Sequence, residues 1–141
     1  MLTLAILEST VFFVLSLVHF NWVVGGKFGF AKALPTNVNG ERVLNPQKKD
    51  SLIVALGLLL FALYYLQVGV VGLHLIAGPQ WLLTFLGWGI PLVFFLRIIG
   101  DFKYIGIFKK IKDTGFAVLD NKFYIPLCFF LFINGVIIKV V

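Results

Sequence analysis

Between Ser51 and Leu96 the chain contains no formally charged residue. A helix that crosses a bilayer needs about 20 mainly apolar residues, because each adds about 1.5 Å against a hydrocarbon core of about 30 Å. Gly78-Pro79 divides the uncharged stretch into two segments of suitable length. Over all 141 residues, 60% are hydrophobic and 13% are charged, compared with roughly 45–50% and 25% in a soluble domain. The sequence therefore predicts an integral membrane protein.

Four membrane-spanning helices are predicted, at about residues 2–24, 51–73, 80–99 and 123–140. Asp120 is the candidate N-cap of the fourth helix, but Pro126 then lies too deep for its first turn. The fourth helix therefore either begins near Tyr124 or is kinked. A sheet in lipid would leave its edge groups unpaired, so we predict an all-α four-helix bundle that forms a single transmembrane domain over residues 1–141.

Two longer connections, at about residues 27–50 and 100–122, carry most of the polar residues. In the first, Asn39-Gly40 between two short arms is typical of a small β-hairpin lying on the membrane surface. In the second, lysines alternate with aromatic and aliphatic residues from Phe102 to Lys112. That pattern predicts an interfacial segment whose ammonium groups, including that of Lys109, lie in water.

The basic residues predict an orientation. All of the 12 basic residues except Lys139 fall in the two long connections or at the helix ends beside them. Lys and Arg mark short cytoplasmic loops, so we expect both connections in the cytoplasm, both termini outside, and the bacterial cytoplasmic membrane as the location. The net charge of +6 is then explained by anionic lipid headgroups as partners, and a nucleic-acid partner is not predicted.

No metal or other cofactor is predicted. Cys128 is the only cysteine, so a cysteine-based zinc site cannot form within one chain. His19 falls near the cytoplasmic end of the first predicted span and His74 near the outer end of the second. That separation argues against a shared metal ion or haem.

Ionisable residues within a span cost at least about 2.5–3.5 kcal/mol at its centre, so each needs an explanation. Glu8 lies in the outer half of the first span, on the same helical face as His19. It is a candidate transport carboxylate that takes up a proton or cation. The structural alternative is that Glu8 lies close enough to the outer surface to reach headgroup water.

A larger polar group gathers at the predicted cytoplasmic ends of the first, third and fourth spans. We interpret it as a candidate ligand-binding cluster or acid–base site formed by His19, Trp22, Arg97, Asp101, Asp120 and Tyr124. The alternative is a structural network in which Arg97 pairs with Asp101 or Asp120 and the aromatic residues form an interfacial belt.

Several short motifs match a known family. They are HFNWVVGG from His19 to Gly26, ALPT from Ala33, RIIGD from Arg97, TGFA from Thr114 and YIPLC from Tyr124. In these motifs the chain resembles the bacterial domain-of-unknown-function 3995 family, small membrane proteins without an established activity. The resemblance covers nearly the whole chain and implies four spans, but it implies no catalytic residues.

Four functions remain open. The first is binding of a lipid, isoprenoid or other amphipathic small molecule in a cytoplasm-facing pocket. The second is an enzyme that acts on a membrane-embedded substrate, with His19 and Asp101 or Asp120 as acid and base. The third is a proton-coupled transporter that works as a homodimer through Glu8. The fourth is a passive accessory or immunity protein, in which the polar cluster only holds the loops together.

Overall fold

The computed structural model describes residues 1–141, and its long elements are all helices. In chain order they are α1 (Leu2–Val23), α2 (Phe30–Ala33), α3 (Lys48–Gly69), α4 (Gln80–Ile99), α5 (Gly115–Leu119), a π-helical turn (Asp120–Tyr124) and α6 (Ile125–Val140). The structure has no β-strand, so the predicted all-α class is confirmed. α1, α3, α4 and the continuous helix Gly115–Val140 are each long and apolar enough to cross a membrane.

α1 and α3 form one antiparallel pair. Ser9 Oγ donates to the Ala62 carbonyl and Ser16 Oγ to the Ala55 carbonyl, each at 2.8 Å. Ser9 and Ser16 lie two turns apart on one face of α1, and small partners on α3 allow the backbones to approach closely. Hydroxyl-to-carbonyl bonds of this kind help to select which helices pair in lipid. Hydrophobic burial cannot do so there, because the lipid tails are as apolar as the side chains.

α4 and α6 form the second pair, in which glycines make the close approaches. The Pro91 ring lies so near Gly135 that a Cβ added there would stand 2.7 Å from Pro91 Cγ. Gly87 likewise leaves room for the methylenes of Lys139 and the Tyr64 hydroxyl. Pro91 lies inside α4, where a proline removes one backbone hydrogen bond, yet α4 runs unbroken from Gln80 to Ile99.

Most apolar side chains point outward. Only 29 of the 141 residues are buried, and side chains such as Phe13, Ile53, Phe85 and Phe129 are exposed on the outer faces of the four long helices. An exposed apolar surface that extends around the whole bundle is incompatible with water and is suited to lipid tails. The core is a strip at the bundle axis that includes Phe12, which stacks on Tyr65 at 5.7 Å between ring centroids.

The first long connection is hairpin-like but forms no strands. An antiparallel bridge joins Thr36 and Arg42, and Asn37 Oδ1 accepts from the backbone N–H groups of Asn39 and Glu41 at 3.0 and 2.9 Å. The side chain of Asn37 thus closes the turn, beside backbone bonds from the Asn37 N–H to the Glu41 carbonyl at 2.9 Å and from the Val43 N–H to the Pro35 carbonyl at 3.0 Å. α3 then begins at Lys48, where Asp50 Oδ2 accepts from the Gln47 N–H at 2.8 Å.

The fourth span begins at Gly115, earlier than the predicted start near residue 123. Thr114 caps it, since Thr114 Oγ1 accepts from the Ala117 N–H at 3.1 Å; the predicted cap, Asp120, lies inside the helix instead. Pro126 is accommodated by the π turn just before it, where the Ile125 N–H bonds to the Asp120 carbonyl. The wider turn replaces the kink that a proline imposes on an α-helix.

Candidate functional site

The end of the bundle that carries the two long connections, residues 24–47 and 100–114, is here called the loop end. Asp120 lies at the centre of the main polar network at this end, and its side chain is fully buried. Asp120 Oδ1 accepts from Arg97 Nη2 at 2.8 Å. Asp120 Oδ2 accepts from Lys109 Nζ at 3.1 Å and from the Gly106 N–H at 3.0 Å. One carboxylate therefore connects α4, the second long connection and the π turn.

Lys109 is not in water, so the predicted position of its ammonium group is wrong. The side chain is 1% exposed and donates to the Gly106 carbonyl at 3.0 Å and to Asn121 Oδ1 as well as to Asp120. A buried ammonium requires this many partners, because its desolvation is otherwise uncompensated. No sequence signal separates Lys109 from its exposed neighbour Lys110, because both lie in the same lysine-rich run.

Asp101 does not join this group. Its Oδ1 accepts from the backbone N–H groups of Lys103, Tyr104 and Ile105 at 2.7–2.9 Å, and the residue is exposed. Partial burial acts to raise the pKa of Asp101, but these backbone donors outweigh it and hold the pKa below its ordinary value of 3.8. Asp101 therefore organises the turn that follows α4, and Asp120 is the partner of Arg97.

His19 and Trp22 form a second unit at the end of α1. His19 Nδ1 lies 2.8 Å from the Leu15 carbonyl, and the two aromatic rings are 4.4 Å apart between centroids. Trp22 Nε1 donates to the Phe28 carbonyl at 2.6 Å. No hydrogen bond or ion pair joins His19 to Asp101 or Asp120, so the acid–base pair considered for an enzyme is not assembled in this structure.

Tyr124 connects the π turn to α2, which lies in the first long connection. Its hydroxyl donates to the Lys32 carbonyl in α2 at 3.1 Å, and its ring lies 6.0 Å from that of Phe116. The contact joins the fourth span to the connection that follows α1. Of the six residues predicted to converge, Arg97 and Asp120 meet directly, His19 and Trp22 meet each other, Tyr124 bridges elements, and Asp101 stands apart.

A cleft opens at the loop end beside Trp22. Its volume is about 370 Å³, and it is lined by Trp22, Gly25, Gly26, Lys27, Phe30, Ala31, Arg42, Pro46, Lys48 and Ser51. The Arg42 guanidinium lies over the Phe30 ring at 5.4 Å, and Lys48 Nζ lies 3.9 Å from where a Cβ on Gly25 would stand. Only Trp22 of these residues belongs to the predicted cluster. The other lining residues fall in two segments, 22–31 and 42–51, which meet only when the connection folds back.

Both ion pairs of the structure involve Asp120. The three cations of the cleft, Lys27, Arg42 and Lys48, therefore have no carboxylate partner, and no acidic residue lines the cleft. Cations held together without counter-charge favour an anionic ligand. No group of three or more His, Cys, Asp or Glu side chains comes together anywhere in the chain.

Glu8 lies far from the loop end, within α1. It is fully buried, and neither carboxylate oxygen has a hydrogen-bond partner. Asn134 of α6 faces it without completing a bond. The alternative in which Glu8 reaches headgroup water finds no support in this geometry, because no part of the residue is accessible.

These features define a class: a four-helix integral membrane protein with a polar loop end. The family profile DUF3995, described as a protein of unknown function, matches residues 12–134. The chain therefore belongs to the DUF3995 family, and the resemblance seen in its motifs is confirmed. No curated protein and no solved structure matches the chain.

Proposed function

We propose that this protein binds the anionic headgroup of a membrane lipid in the cleft at its loop end, on the cytoplasmic side. The observation that carries the proposal is the convergence of three unpaired cations, Lys27, Arg42 and Lys48, on one cleft of about 370 Å³. Lys27 follows α1, Arg42 lies in the hairpin-like turn and Lys48 begins α3, so the three side chains meet because this connection folds back on itself.

The position and the lining of the cleft favour a lipid over a soluble anion. It lies where α1 ends and α3 begins, at the level at which lipid headgroups meet a spanning helix. Trp22 and Phe30 supply apolar walls, and aromatic residues are enriched at this membrane depth. A phosphate held by Arg42 and Lys48 leaves the acyl chains beside the outward-facing apolar surface of α1 and α3.

The cytoplasmic placement is part of the proposal and rests on charge. Eleven of the 12 basic residues, all but Lys139, lie at or next to the loop end, and short loops rich in Lys and Arg remain on the cytoplasmic side. Anionic lipids of that leaflet attract such residues by about 1 kcal/mol each. We therefore expect the bound lipid to come from the cytoplasmic leaflet.

The test compares lipid binding in two variants of equal charge. Native mass spectrometry of protein released from mixed phosphatidylglycerol and phosphatidylcholine discs should show retained phosphatidylglycerol for the wild type. Arg42→Gln/Lys48→Gln should lower the apparent affinity at least about 30-fold, since two direct charge-assisted bonds to the phosphate, each worth at least about 1 kcal/mol, are removed. Lys110→Gln/Lys112→Gln removes the same charge from exposed positions of the other connection and should change affinity less than threefold.

Three results decide the matter. Equal losses in the two double variants would mean that lipid is attracted by overall charge and not by the cleft. Unchanged lipid retention in Arg42→Gln/Lys48→Gln would leave the passive role as the better account. Competition by millimolar inorganic phosphate would replace the lipid by a soluble phosphate compound as the ligand.

A second candidate function is supported by Glu8. A buried carboxylate without a salt-bridge partner is too costly to remain charged in a membrane helix, so Glu8 is suited to take up a proton or a cation. A proton-coupled transporter of lipophilic cations, active as a homodimer, would use such a residue.

Uptake of tetraphenylphosphonium into proteoliposomes under an imposed pH gradient tests the second candidate. We expect Glu8→Gln to abolish the pH-driven component, whereas Ser16→Ala, on the same helix, should retain it. Identical uptake by wild-type and Glu8→Gln proteoliposomes excludes the transporter.

A further inference from the structure

We propose that the opposite end of the bundle, where both chain termini lie, holds a separate binding site for a carboxylate group. A cavity of about 240 Å³ opens there between α3, α4 and α6. Its polar lining includes Tyr64, Tyr65, Gln67 and Lys139. None of these residues lines the basic cleft, so the site is independent of the proposed lipid-binding function.

The strongest sign of a ligand is the Tyr65 hydroxyl. Tyr65 is 1% exposed, and its hydroxyl has no hydrogen-bond partner. A Cβ added to Gly135 would stand 2.7 Å from Tyr65 Oη, and Gly135 itself lines the cavity, so the hydroxyl lies at the cavity wall. A buried hydroxyl without a partner is unfavourable, and an acceptor atom at this wall of the cavity relieves it.

Neighbouring groups also present donors. Tyr64 Oη lies 2.6 Å from where a Cβ on Gly87 would stand, and the Lys139 side chain packs against the same glycine. Gln67 Oε1 already accepts from the Ile76 N–H at 2.8 Å, which leaves the amide NH₂ of Gln67 as a donor. Lys139 belongs to neither ion pair of the structure. The two glycines thus keep open a space bordered by hydroxyl, amide and ammonium donors.

Glu8 acts electrostatically on Tyr65 but does not line the cavity. The lining itself holds one ammonium group and no acidic residue, which favours a ligand with acceptor oxygens and a negative charge. A carboxylate accepts several hydrogen bonds at once and gains further from the ammonium group. A volume of about 240 Å³ is below the roughly 300–1,000 Å³ of sites for drug-sized ligands. It suits a carboxylate with a short carbon segment, which is either a small soluble acid or the head of a fatty acid whose tail runs into lipid along the apolar wall formed by Val68, Leu83 and Ile138.

Binding of radiolabelled decanoate and acetate to the protein in phosphatidylcholine nanodiscs tests the proposal, with empty discs as background and decanol as the uncharged analogue. Lys139→Gln should weaken carboxylate binding by about tenfold or more, because a charge-assisted bond is lost. Tyr65→Phe should weaken it about fivefold. Lys122→Gln and Tyr104→Phe are the matched controls from the loop end, and far-UV circular dichroism establishes that each variant is folded.

The outcomes separate the two sources of the carboxylate and the two proposals. Decanoate binding without acetate binding identifies a fatty acid, and acetate binding identifies a small soluble acid; both support the site. Retention of this binding in Arg42→Gln/Lys48→Gln places it away from the basic cleft. The proposal is overturned if decanol binds as well as decanoate, if neither acid binds above background, or if Lys139→Gln behaves like Lys122→Gln.

Discussion

Asp120→Asn should destabilise the loop end more than any other isosteric change, because it leaves Lys109 buried beside a neutral group. Breaking a buried ion pair by removing one partner costs about 3–5 kcal/mol. Lys109 keeps its bonds to Gly106 and Asn121, so we place the loss at about 3 kcal/mol. Arg97 contributes less than Lys109, since 29% of its side chain is exposed, although its Nη1 is buried without a partner.

A compensating variant makes this reasoning specific. Asp120→Asn/Lys109→Met removes the orphaned ammonium and fills its space with an unbranched apolar chain. We expect it to recover about 2 kcal/mol, because replacing both members of a buried pair is far less costly than removing one. Arg97→Gln alone should cost only about 1 kcal/mol.

The free energy of unfolding is measured by titrating the detergent-solubilised protein with SDS and following far-UV circular dichroism. Lys110→Met, at an exposed position, controls for the loss of a lysine. The explanation fails if Asp120→Asn costs less than about 1 kcal/mol, or if adding Lys109→Met makes the variant less stable still.

Further predictions concern the turn after α4 and the contact between α1 and α3. Gly106→Ala should lower the free energy of unfolding by more than about 2 kcal/mol in the SDS titration. The φ of Gly106 is +89°, and a Cβ there would overlap the facing backbone. Gly40→Ala, at φ +78° in open space, should lower it by about half as much. The depressed pKa of Asp101 stabilises its turn above pH about 4, and this contribution is lost as pH falls further through the folded-state pKa. NMR amide signals of residues 103–105 should shift together in that range, and Asp101→Asn should abolish the shift. Ser16→Ala should cost about 0.6 kcal/mol and at most about 1.7, whereas Thr10→Ala, whose hydroxyl bonds within its own helix, should leave unfolding unchanged.

The helical architecture follows from the sequence because lipid leaves the backbone few options. A chain without charge from Ser51 to Leu96 has to satisfy its peptide groups internally, and helices do this locally. Helix ends depend on single side chains and are less predictable. The cap at Thr114 and the π turn before Pro126 extend the fourth span, and neither has a strong signature in the sequence.

The four apolar helices and the gathering of basic residues at one end can be predicted from the sequence, because both are local properties of the chain. Which polar groups meet depends on the packing of the helices. Asp120 and not Asp101 pairs with Arg97, and Lys109 binds the same carboxylate. Lys27, Arg42 and Lys48 line one cleft, and Tyr65 and Lys139 line a cavity at the other end. Each of these contacts joins residues from separate elements, and their distances depend on how the helices pack and how the connections fold back, which no local pattern encodes.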